Sequence, residues 1–408
     1  MNKKKILIHS IAFAPDGVST AYIYNDLAYG FKKSNFQVTV LTSTPHYNFT
    51  ESFEAKKFYF GLFYVSNFKG IKVIHVPLKK HKSIILRIML FIKWHLVCFI
   101  IGLFIKKVDF ILSPSPPLTI GIISILIGKI KNAKVIYNVQ EVYPDLLINQ
   151  GGLKSKFIVS VLKRIESIVY NFSDSIVTIH SQFYYQIKDR VKDLNKLRII
   201  PNFVDTDLYK PDISKSYLPK EFKNFKDKIT VLYAGNIGYF QDWEPIFFAA
   251  NKLKHLDIEF LIIGEGVKKK YLENRIVKEE ITNIKIFPYQ NRKDIPSIIN
   301  MADIHFISTK KELEKEGFPS KVYTIMACKK PLIVISGKNT PIHDFLQNKK
   351  CSILISNNRK ENFYKSVLKL ANDKNLRIKL GNNGYSEIIK KFTKEKVINQ
   401  YLEMFKEI

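Results

Sequence analysis

The residues best suited to chemistry lie in one loop, residues 314–321, which reads Glu-Lys-Glu-Gly-Phe-Pro-Ser-Lys and precedes a helical pattern. Glu316 could accept hydrogen bonds from the hydroxyl groups of a sugar. Ser320 could cap the helix, and Lys321 could neutralise a phosphate beside the free N–H groups of the first turn. The pattern predicts a cradle for a diphosphate and a polyol. A plain capped helix with solvated charges is the alternative; we prefer the cradle because the loop follows a predicted strand at 304–307.

Glycines mark further turns at the ends of predicted strands. Gly235 and Gly238, with Asn236 between them, permit a tight turn against a phosphate or a nucleoside. Gly264 ends the next predicted strand and could serve the same ligand or only a turn. Gly17 follows the first strand, and there an ordinary βα turn capped by a neighbouring hydroxyl side chain is the preferred interpretation.

A polar stretch follows the predicted strand at 135–138. Its carboxylates, Glu141 and Asp145, come shortly after Gln140. At the end of a strand they could bind a sugar hydroxyl group or cap a helix, and the sequence leaves both roles open.

Short apolar runs alternate with helical patterns along the chain, which is typical of βαβ units and parallel sheets. The chain is therefore predicted to be α/β, with two Rossmann-like halves, residues 1–203 and 204–385, and a C-terminal helix at 386–408 that crosses back to the first half. Ligands of open parallel sheets bind at the carboxyl ends of the strands, where these loops lie. The predicted strands are 5–9, 38–42, 71–76, 110–112, 135–138 and 175–179 in the first half, and 229–233, 258–263, 284–287, 304–307, 332–335 and 352–355 in the second.

Composition excludes several classes of protein. The 408 residues are 46% hydrophobic and 13% aromatic, which excludes a disordered or collagen-like chain. The three cysteines, Cys98, Cys328 and Cys351, are far apart, which excludes a disulfide scaffold and a cysteine-based zinc site and fits a reducing compartment. The basic start is followed by an apolar run too short for a secretory signal, so we expect a cytoplasmic protein.

The chain is strongly basic, with 65 Lys and Arg against 36 Asp and Glu and a net charge of +29. A general bias toward lysine is one explanation. However, residues 55–108 contain no Asp or Glu, and lysines and aromatic residues alternate there, which suits an anionic membrane surface or nucleic acid. Within that segment, residues 84–105 are long enough to span a bilayer, but Arg87 and Lys93 favour a buried or interfacial helix.

Taken together, these motifs resemble the retaining glycosyltransferases of family 4, which have the GT-B fold, over nearly the whole chain. The matching segments, in the family's order, are Gly235-Asn236-Ile237-Gly238, the strand and turn at 260–266, Ala302-Asp303-Ile304, Glu316-Gly317-Phe318 through Met326-Ala327, and the interdomain segment 200–205. Residues 138–145 followed by Gly151-Gly152-Leu153 resemble a subgroup of bacterial surface-polysaccharide enzymes assigned as N-acetyl-L-fucosamine transferases.

The sequence departs from the family in three places. Gln140 and Glu141 stand where the family usually has His and Asp, so a catalytic imidazole is absent. Thr324 stands where the second carboxylate of a pair beginning at Glu316 is usual. Tyr239-Phe240-Gln241-Asp242 follow Gly238 where an Arg and a Lys usually hold the donor diphosphate, and we expect Lys321 and the helix N-terminus to take that role.

The resemblance implies two domains facing a central cleft, with an acceptor-binding first domain and a nucleotide-sugar-binding second one. The implied reaction is metal-independent transfer of a hexosyl group, with retention, from a UDP-sugar to a lipid-linked saccharide in capsule or O-antigen biosynthesis. UDP-N-acetyl-L-fucosamine is the candidate donor. No cofactor, metal or nucleic acid is expected, and the enzyme would be peripheral on the inner face of the cell membrane through residues 55–108. The implied catalytic residues are Glu316, Lys321 and Glu141; the donor-binding residues are Gly17, Gly235, Asn236, Gly238, Gly264, Tyr289, Gly317, Phe318, Pro319, Ser320 and Thr324; the acceptor-side residues are Gln140 and Asp145.

Two rival functions fit the same sequence. A GT-B nucleotide-sugar 2-epimerase would share the fold and the donor, and product analysis without an acceptor would distinguish it. A basic protein that binds membranes or nucleic acid would use the +29 charge instead, and binding to random DNA that depends on salt would favour it.

Overall fold

The computed structural model describes residues 3–45, 53–79, 81–149, 151–153, 155–213, 218–225, 228–315 and 317–408. The chain divides into two compact units. Unit 1 comprises Met1–Asn202 and Lys394–Ile408, and unit 2 comprises Phe203–Thr393. Each unit is an α/β layer structure built on its own sheet, as the alternating sequence pattern predicts.

Unit 1 is built on a mostly parallel sheet. Its strands are β1 (Lys5–His9), β2 (Gln37–Ser43), β3 (Lys56–Phe58), β4 (Phe63–Phe68), β5 (Ile71–Val76), β6 (Phe110–Pro114), β7 (Lys134–Val139), β8 (Ser175–Thr178) and β9 (Leu197–Ile199). Its first helices are α1 (Ser19–Lys33), α2 (Ile84–Phe104), α3 (Thr119–Lys131), α4 (Asp145–Asn149), α5 (Lys156–Phe172) and α6 (Ser181–Ile187). In the described part of the chain, the strand order is β3-β4-β5-β2-β1-β6-β7-β8-β9.

The edge of this sheet differs from the sequence prediction. Strands β3 and β4 form an antiparallel hairpin, and β4 pairs antiparallel with β5. All three residues of β3 are exposed, and most of β4 is only half-buried. The two strands therefore lack the continuous apolar run by which buried parallel strands are recognised in a sequence.

Unit 2 is built on an all-parallel sheet with the order β12-β11-β10-β13-β14-β15 in its described residues. The strands are β10 (Ile229–Ala234), β11 (Ile258–Ile263), β12 (Ile284–Phe287), β13 (Ile304–Ser308), β14 (Leu332–Ile335) and β15 (Ser352–Ile355). The helices are α7 (Glu244–Leu253), α8 (Lys269–Lys278), α9 (Ile295–Met301), α10 (Lys321–Ala327), α11 (Pro341–Leu346), α12 (Arg359–Asn372) and α13 (Lys374–Lys391).

Strand β11 shows why these strands are largely apolar; its one charged residue, Glu259, is buried and paired with Lys228. All of its residues are buried. Phe260 and Ile262 pack into the core on one face of the sheet, while Leu261 and Ile263 pack into the core on the other. Because helices cover both faces, no position on the strand needs a polar side chain for water.

The end of the chain is not the single helix that the sequence predicts for 386–408. Helix α13 ends at Lys391, and α14 (Lys394–Glu407) belongs to unit 1. Between them, Phe392 packs against Tyr323 and Phe345, and Thr393 forms a β-bridge with Val204. The bridge at Thr393 needs an extended backbone, which does not continue the helix.

Candidate active site

Lys321, the first residue of α10, lies beside the turn that follows β10. Its Nζ is 3.6 Å from the centroid of the Tyr233 ring, and burial lowers the pKa of the Lys321 ammonium group to about 7. A Cβ built on Gly235 would lie 2.6 Å from that nitrogen, so a side chain at Gly235 would displace it. None of the ion pairs between described residues includes Lys321. A diphosphate would supply the missing negative charge.

Two glycine-containing turns pack backbone to backbone at this edge of the sheet. A Cβ on Gly264 would lie 1.9 Å from the carbonyl oxygen of Gly235, and one on Gly266 would lie 2.3 Å from that of Ile237. Both glycines have positive φ angles, +151° and +154°, which other residues rarely adopt. Gly264 therefore supports the turn of Gly235 by close packing.

The turn after β10 is held by its own residues. The Gly235 N–H donates to the Ile263 carbonyl at 2.9 Å, and the Gly238 N–H donates to Gln241 Oε1 at 2.9 Å. The Tyr233 hydroxyl donates to the Asn236 carbonyl at 2.7 Å. The N–H groups of both glycines are thus already used, and Asn236 presents an exposed side chain. Gln241, in the segment where the family usually has an Arg and a Lys, accepts this hydrogen bond and so fixes the turn.

The loop before α10 is anchored by an aromatic residue. The ring centroid of Phe318 is 5.5 Å from that of Tyr323 and 5.2 Å from that of Phe345. Gly317 is half-buried, and a Cβ on it would contact nothing within 4 Å. Glu316 lies outside the described residues, so its predicted sugar contact stays a prediction.

The predicted helix cap at Ser320 is wrong. Ser320 precedes α10 with helical angles, φ −58° and ψ −21°, and its side chain makes no capping hydrogen bond. A capping side chain needs an extended backbone at that position. The N–H groups of Val322 and Tyr323 already donate to the Pro319 and Ser320 carbonyls, both at 3.1 Å. The binding of a diphosphate would therefore depend on the Lys321 side chain more than on the start of the helix.

Thr324 and Tyr289, two other predicted donor-binding residues of unit 2, each have a polar atom or a ring that a ligand could contact. Thr324 donates its hydroxyl to the Lys321 carbonyl at 2.9 Å, which leaves its oxygen able to accept a hydrogen bond. Tyr289 follows β12 and is 39% exposed, so its ring is open to a ligand.

An ion pair that the sequence analysis missed fixes the loop between β13 and α10, here called the donor loop. Arg359 Nη2 lies 2.5 Å from Glu314 Oε2, and each side chain is only 10% exposed. Arg359 Nη1 donates to the Thr309 carbonyl at 2.8 Å, and the Gly337 N–H donates to Glu314 Oε2 at 2.9 Å. Arg359 also lies 3.9 Å from Asp242 in the loop after β10. One guanidinium therefore joins the loops that follow β10, β13 and β15.

In unit 1, Gln140 and Glu141 lie at the carboxyl end of β7. Gln140 and Asn202 exchange amide hydrogen bonds of 2.8 and 3.1 Å. The Ser115 hydroxyl donates to the Glu141 carbonyl at 2.9 Å, which fixes the backbone there. Burial raises the pKa of the Glu141 carboxyl, and a hydrogen bond from Tyr143 opposes that rise. The surroundings of the half-buried Glu141 carboxyl therefore favour its protonated form more than water does.

Asp145 does not have the free carboxylate expected of an acceptor-side residue. Its Oδ2 lies 2.5 Å from Arg190 Nη2 and accepts from Gln186 Nε2 at 3.1 Å. Arg190 also pairs with the buried Glu166 at 2.8 Å. Asp145 therefore holds α4 against a neighbouring buried charge network. In the described ranges, no group of three or more His, Cys, Asp or Glu side chains could hold a metal ion.

Gly17 lies in the connection from β1 to α1. The helix begins at Ser19, Val18 occupies the N-cap position, and no side chain caps it. The turn capped by a hydroxyl side chain, which the sequence favoured, is therefore wrong. Whether Gly17 contacts the donor stays a prediction.

The comparison with known proteins starts from unit 2. Residues 215–387 match the family described as Glycosyl transferases group 1. This part of the chain, less than half of its length, resembles a group 1 glycosyltransferase domain. The matched segment contains strands β10 to β15. It also contains Gly235, Glu314 and Lys321 with the contacts described above.

Two curated proteins resemble this chain over most of its length. The putative colanic acid biosynthesis glycosyl transferase WcaI of Escherichia coli (strain K12) is 23% identical over 340 residues, covering 79% of this chain and 81% of that protein. The UDP-Gal:alpha-D-GlcNAc-diphosphoundecaprenol alpha-1,3-galactosyltransferase of Escherichia coli is 22% identical over 263 residues, covering 62% of this chain and 65% of that protein.

The chain also matches a solved structure over both units. Sucrose-phosphate synthase from Thermosynechococcus elongatus superimposes with a TM-score of 0.77 at 13% identity, covering 99% of each chain. This likeness establishes the fold: the chain has the α/β GT-B fold with parallel sheets, as the sequence predicts.

Proposed function

We propose that the chain is a retaining glycosyltransferase that moves a hexosyl group from a UDP-sugar to a lipid-linked saccharide during capsule or O-antigen biosynthesis. The half-buried Lys321, with its ammonium group beside Gly235, carries the proposal, because its position suits a bound diphosphate. The relatives support the rest: one is named for colanic acid biosynthesis, and another for a UDP-Gal donor and a diphosphoundecaprenol acceptor. UDP-N-acetyl-L-fucosamine is our candidate donor, from the motif at 138–153.

The reaction would proceed on one face of the sugar. The bond from the anomeric carbon to the leaving phosphate breaks, and a bond to the acceptor oxygen forms on the same side. The leaving phosphate oxygen takes the proton of the acceptor hydroxyl, so no imidazole is needed where Gln140 stands. Lys321 would stabilise the negative charge that develops on the diphosphate, and Glu316 would orient the sugar hydroxyl groups.

Transfer is expected to retain anomeric configuration and to continue in EDTA. The test is NMR analysis of the product formed from a panel of UDP-sugars and a polyprenyl-diphosphate saccharide. Loss of activity in EDTA with recovery in magnesium or manganese would contradict metal independence. Conversion of the donor to UDP and an epimerised sugar without an acceptor would instead identify a 2-epimerase.

The Glu141→Gln variant separates two routes for the acceptor proton. If the leaving phosphate takes the proton, kcat should fall less than about tenfold. A required general base would contribute about 10²–10⁴-fold. Glu403→Gln, an exposed carboxylate in the same unit, is the matched control. A fall in kcat of at least about 100-fold for Glu141→Gln alone would make Glu141 the base and contradict the one-face route.

A further inference from the structure

We infer that unit 1 binds the surface of an anionic lipid bilayer through one continuous face formed by α2, α3 and α5, here called the lipid face. This inference concerns the surface of the chain and does not rest on the proposed transfer reaction. It goes beyond the acid-free segment at 55–108, because α5 lies outside that segment.

The three helices form one layer. A Cβ on Gly102 of α2 would lie 2.4 Å from Ile127 of α3, and a Cβ on Gly121 of α3 would lie 2.6 Å from Val169 of α5. Glycines at these two crossings let the helices approach closely. Lys129 of α3 also lies with its Nζ 4.5 Å from the centroid of the ring of Phe172 on α5. The outward surfaces of the helices are therefore neighbours.

Helix α2 buries one stripe and exposes another. Trp94 and Cys98 are fully buried against the sheet. Ile92, Leu96 and Ile100, at the spacing of one helical stripe, are about half exposed on the opposite side. Residues Ile85–Phe104 have a mean hydropathy of 2.0 and enough length to cross a membrane, yet the buried stripe joins the helix to the unit 1 core. This division suits a helix lying at the membrane interface.

The other two helices extend the same apolar surface. On α3, Ile130 is 61% exposed, and on α5, Phe157 and Phe172 are 78% and 55% exposed. These large aromatic side chains near both ends of α5 form an apolar ridge that no other described part of unit 1 covers. Apolar surface of this extent marks an interaction site.

The charged residues on the lipid face indicate that its partner is anionic. Helices α2 and α3 contain no acidic residue, and the acidic residue of α5, Glu166, is buried against Arg190. The exposed charged side chains on the three helices are therefore basic, and they include Lys93, Lys163 and Arg164. An apolar ridge bordered only by cations matches acyl chains beneath anionic headgroups. A nucleic acid would not occupy the aliphatic stripe of α2.

Vesicle flotation tests the inference with the full-length chain. The wild-type protein should float with phosphatidylglycerol–phosphatidylcholine vesicles and bind pure phosphatidylcholine vesicles at least about tenfold more weakly. The double variant Phe157→Ser/Phe172→Ser should lose at least about tenfold in partitioning, because each aromatic side chain leaves the acyl region. Lys163→Gln should lose about fivefold, the effect of one basic residue near the surface. Val277→Ser, at a 79% exposed apolar position on unit 2, should behave as wild type.

A fluorescent probe tests the position of α5 directly. The chain has two tryptophans, Trp94 and Trp243, and both are buried. An added exposed tryptophan in the variant Phe157→Trp should be quenched by vesicles of brominated phosphatidylglycerol, whereas one in Val277→Trp should not be.

The outcomes separate the alternatives. Normal flotation of the double α5 variant, or no quenching of Phe157→Trp, would overturn the lipid face and leave only the acid-free segment as a membrane contact. Equal binding to neutral vesicles would overturn its electrostatic part. Binding to random DNA that outcompetes vesicles, or a stable dimer in sedimentation without lipid, would assign the surface to another partner.

Discussion

The variant Lys321→Ala is expected to lower kcat and kcat/KM together by about 10²–10³-fold, the usual effect of removing one electrostatic stabiliser of a transition state. The diphosphate gains charge as the glycosidic bond breaks, so a contact from Lys321 strengthens in the transition state. Because the N–H groups of Val322 and Tyr323 are already paired, the helix start would compensate little. Lys315→Ala, at an exposed lysine in the same loop, should leave both constants near the wild-type values.

Variants of two neighbouring residues, Glu316 and Thr324, test whether the diphosphate binds beside Lys321. Glu316→Gln should lower turnover with little change in nucleotide affinity, because the role proposed for Glu316 is to orient the sugar and not the diphosphate. Thr324→Ala should cost only about 0.5–1.5 kcal/mol, the net worth of one neutral hydrogen bond. Steady-state kinetics on the folded variants decide the order. If Thr324→Ala proves more damaging than Lys321→Ala, the diphosphate does not bind beside Lys321.

The pKa of Lys321 predicts that the affinity for UDP depends on pH. Burial lowers it to about 7 in the ligand-free chain, and a bound diphosphate would raise it. Above pH 7, binding of UDP must then take up a proton, so affinity should fall about tenfold per pH unit until the pKa of the complex is reached. Calorimetry in buffers of different ionisation enthalpy measures this uptake. Lys321→Arg, which stays charged, should abolish it; uptake that persists would place the titrating group elsewhere.

The variant Arg359→Met is expected to lower the free energy of unfolding of unit 2 by about 3–5 kcal/mol, because it leaves a buried carboxylate without its partner. Arg359 and Glu314 are both 10% exposed. Urea unfolding followed by Trp243 fluorescence, in a Trp94→Phe background, reports on unit 2. Lys365→Met on the same helix removes an exposed partner of Glu361 and should cost no more than about 1 kcal/mol.

A double-mutant cycle isolates the pair itself. Glu314→Gln combined with Arg359→Met should cost clearly less than the sum of the single variants, because the second change removes the charge that the first leaves unpaired. Since the pair joins the loops after β10, β13 and β15, the single variants should also raise KM for the donor. Additive costs, or an unchanged KM, would show that the pair does not hold the donor loop in place.

The sequence by itself determined the parallel sheets. Strands β1, β5, β11, β12, β14 and β15 have the bounds that their apolar runs predict, because a strand covered on both faces is apolar at most positions. The hairpin β3–β4 escaped prediction because its exposed residues face no such constraint. Short-range turn chemistry likewise placed Gly235 and Lys321 at the carboxyl ends of unit 2 strands.

Only the tertiary structure decided which partner each charge has. Arg359 pairs with Glu314, 45 residues away, and Arg190 pairs with Asp145, also 45 residues away. The sequence predicts neither pair: Glu314 lies in a loop interpreted as a ligand cradle or a set of solvated charges, and Asp145 is interpreted as a sugar ligand or a helix cap. Nothing in their neighbourhoods specifies a distant arginine. The desolvation of the Lys321 ammonium group, and with it the pKa of about 7, also arises only when β10 and α10 meet. Local patterns fix which backbone forms, whereas burial and pairing depend on contacts between segments that are distant in the chain.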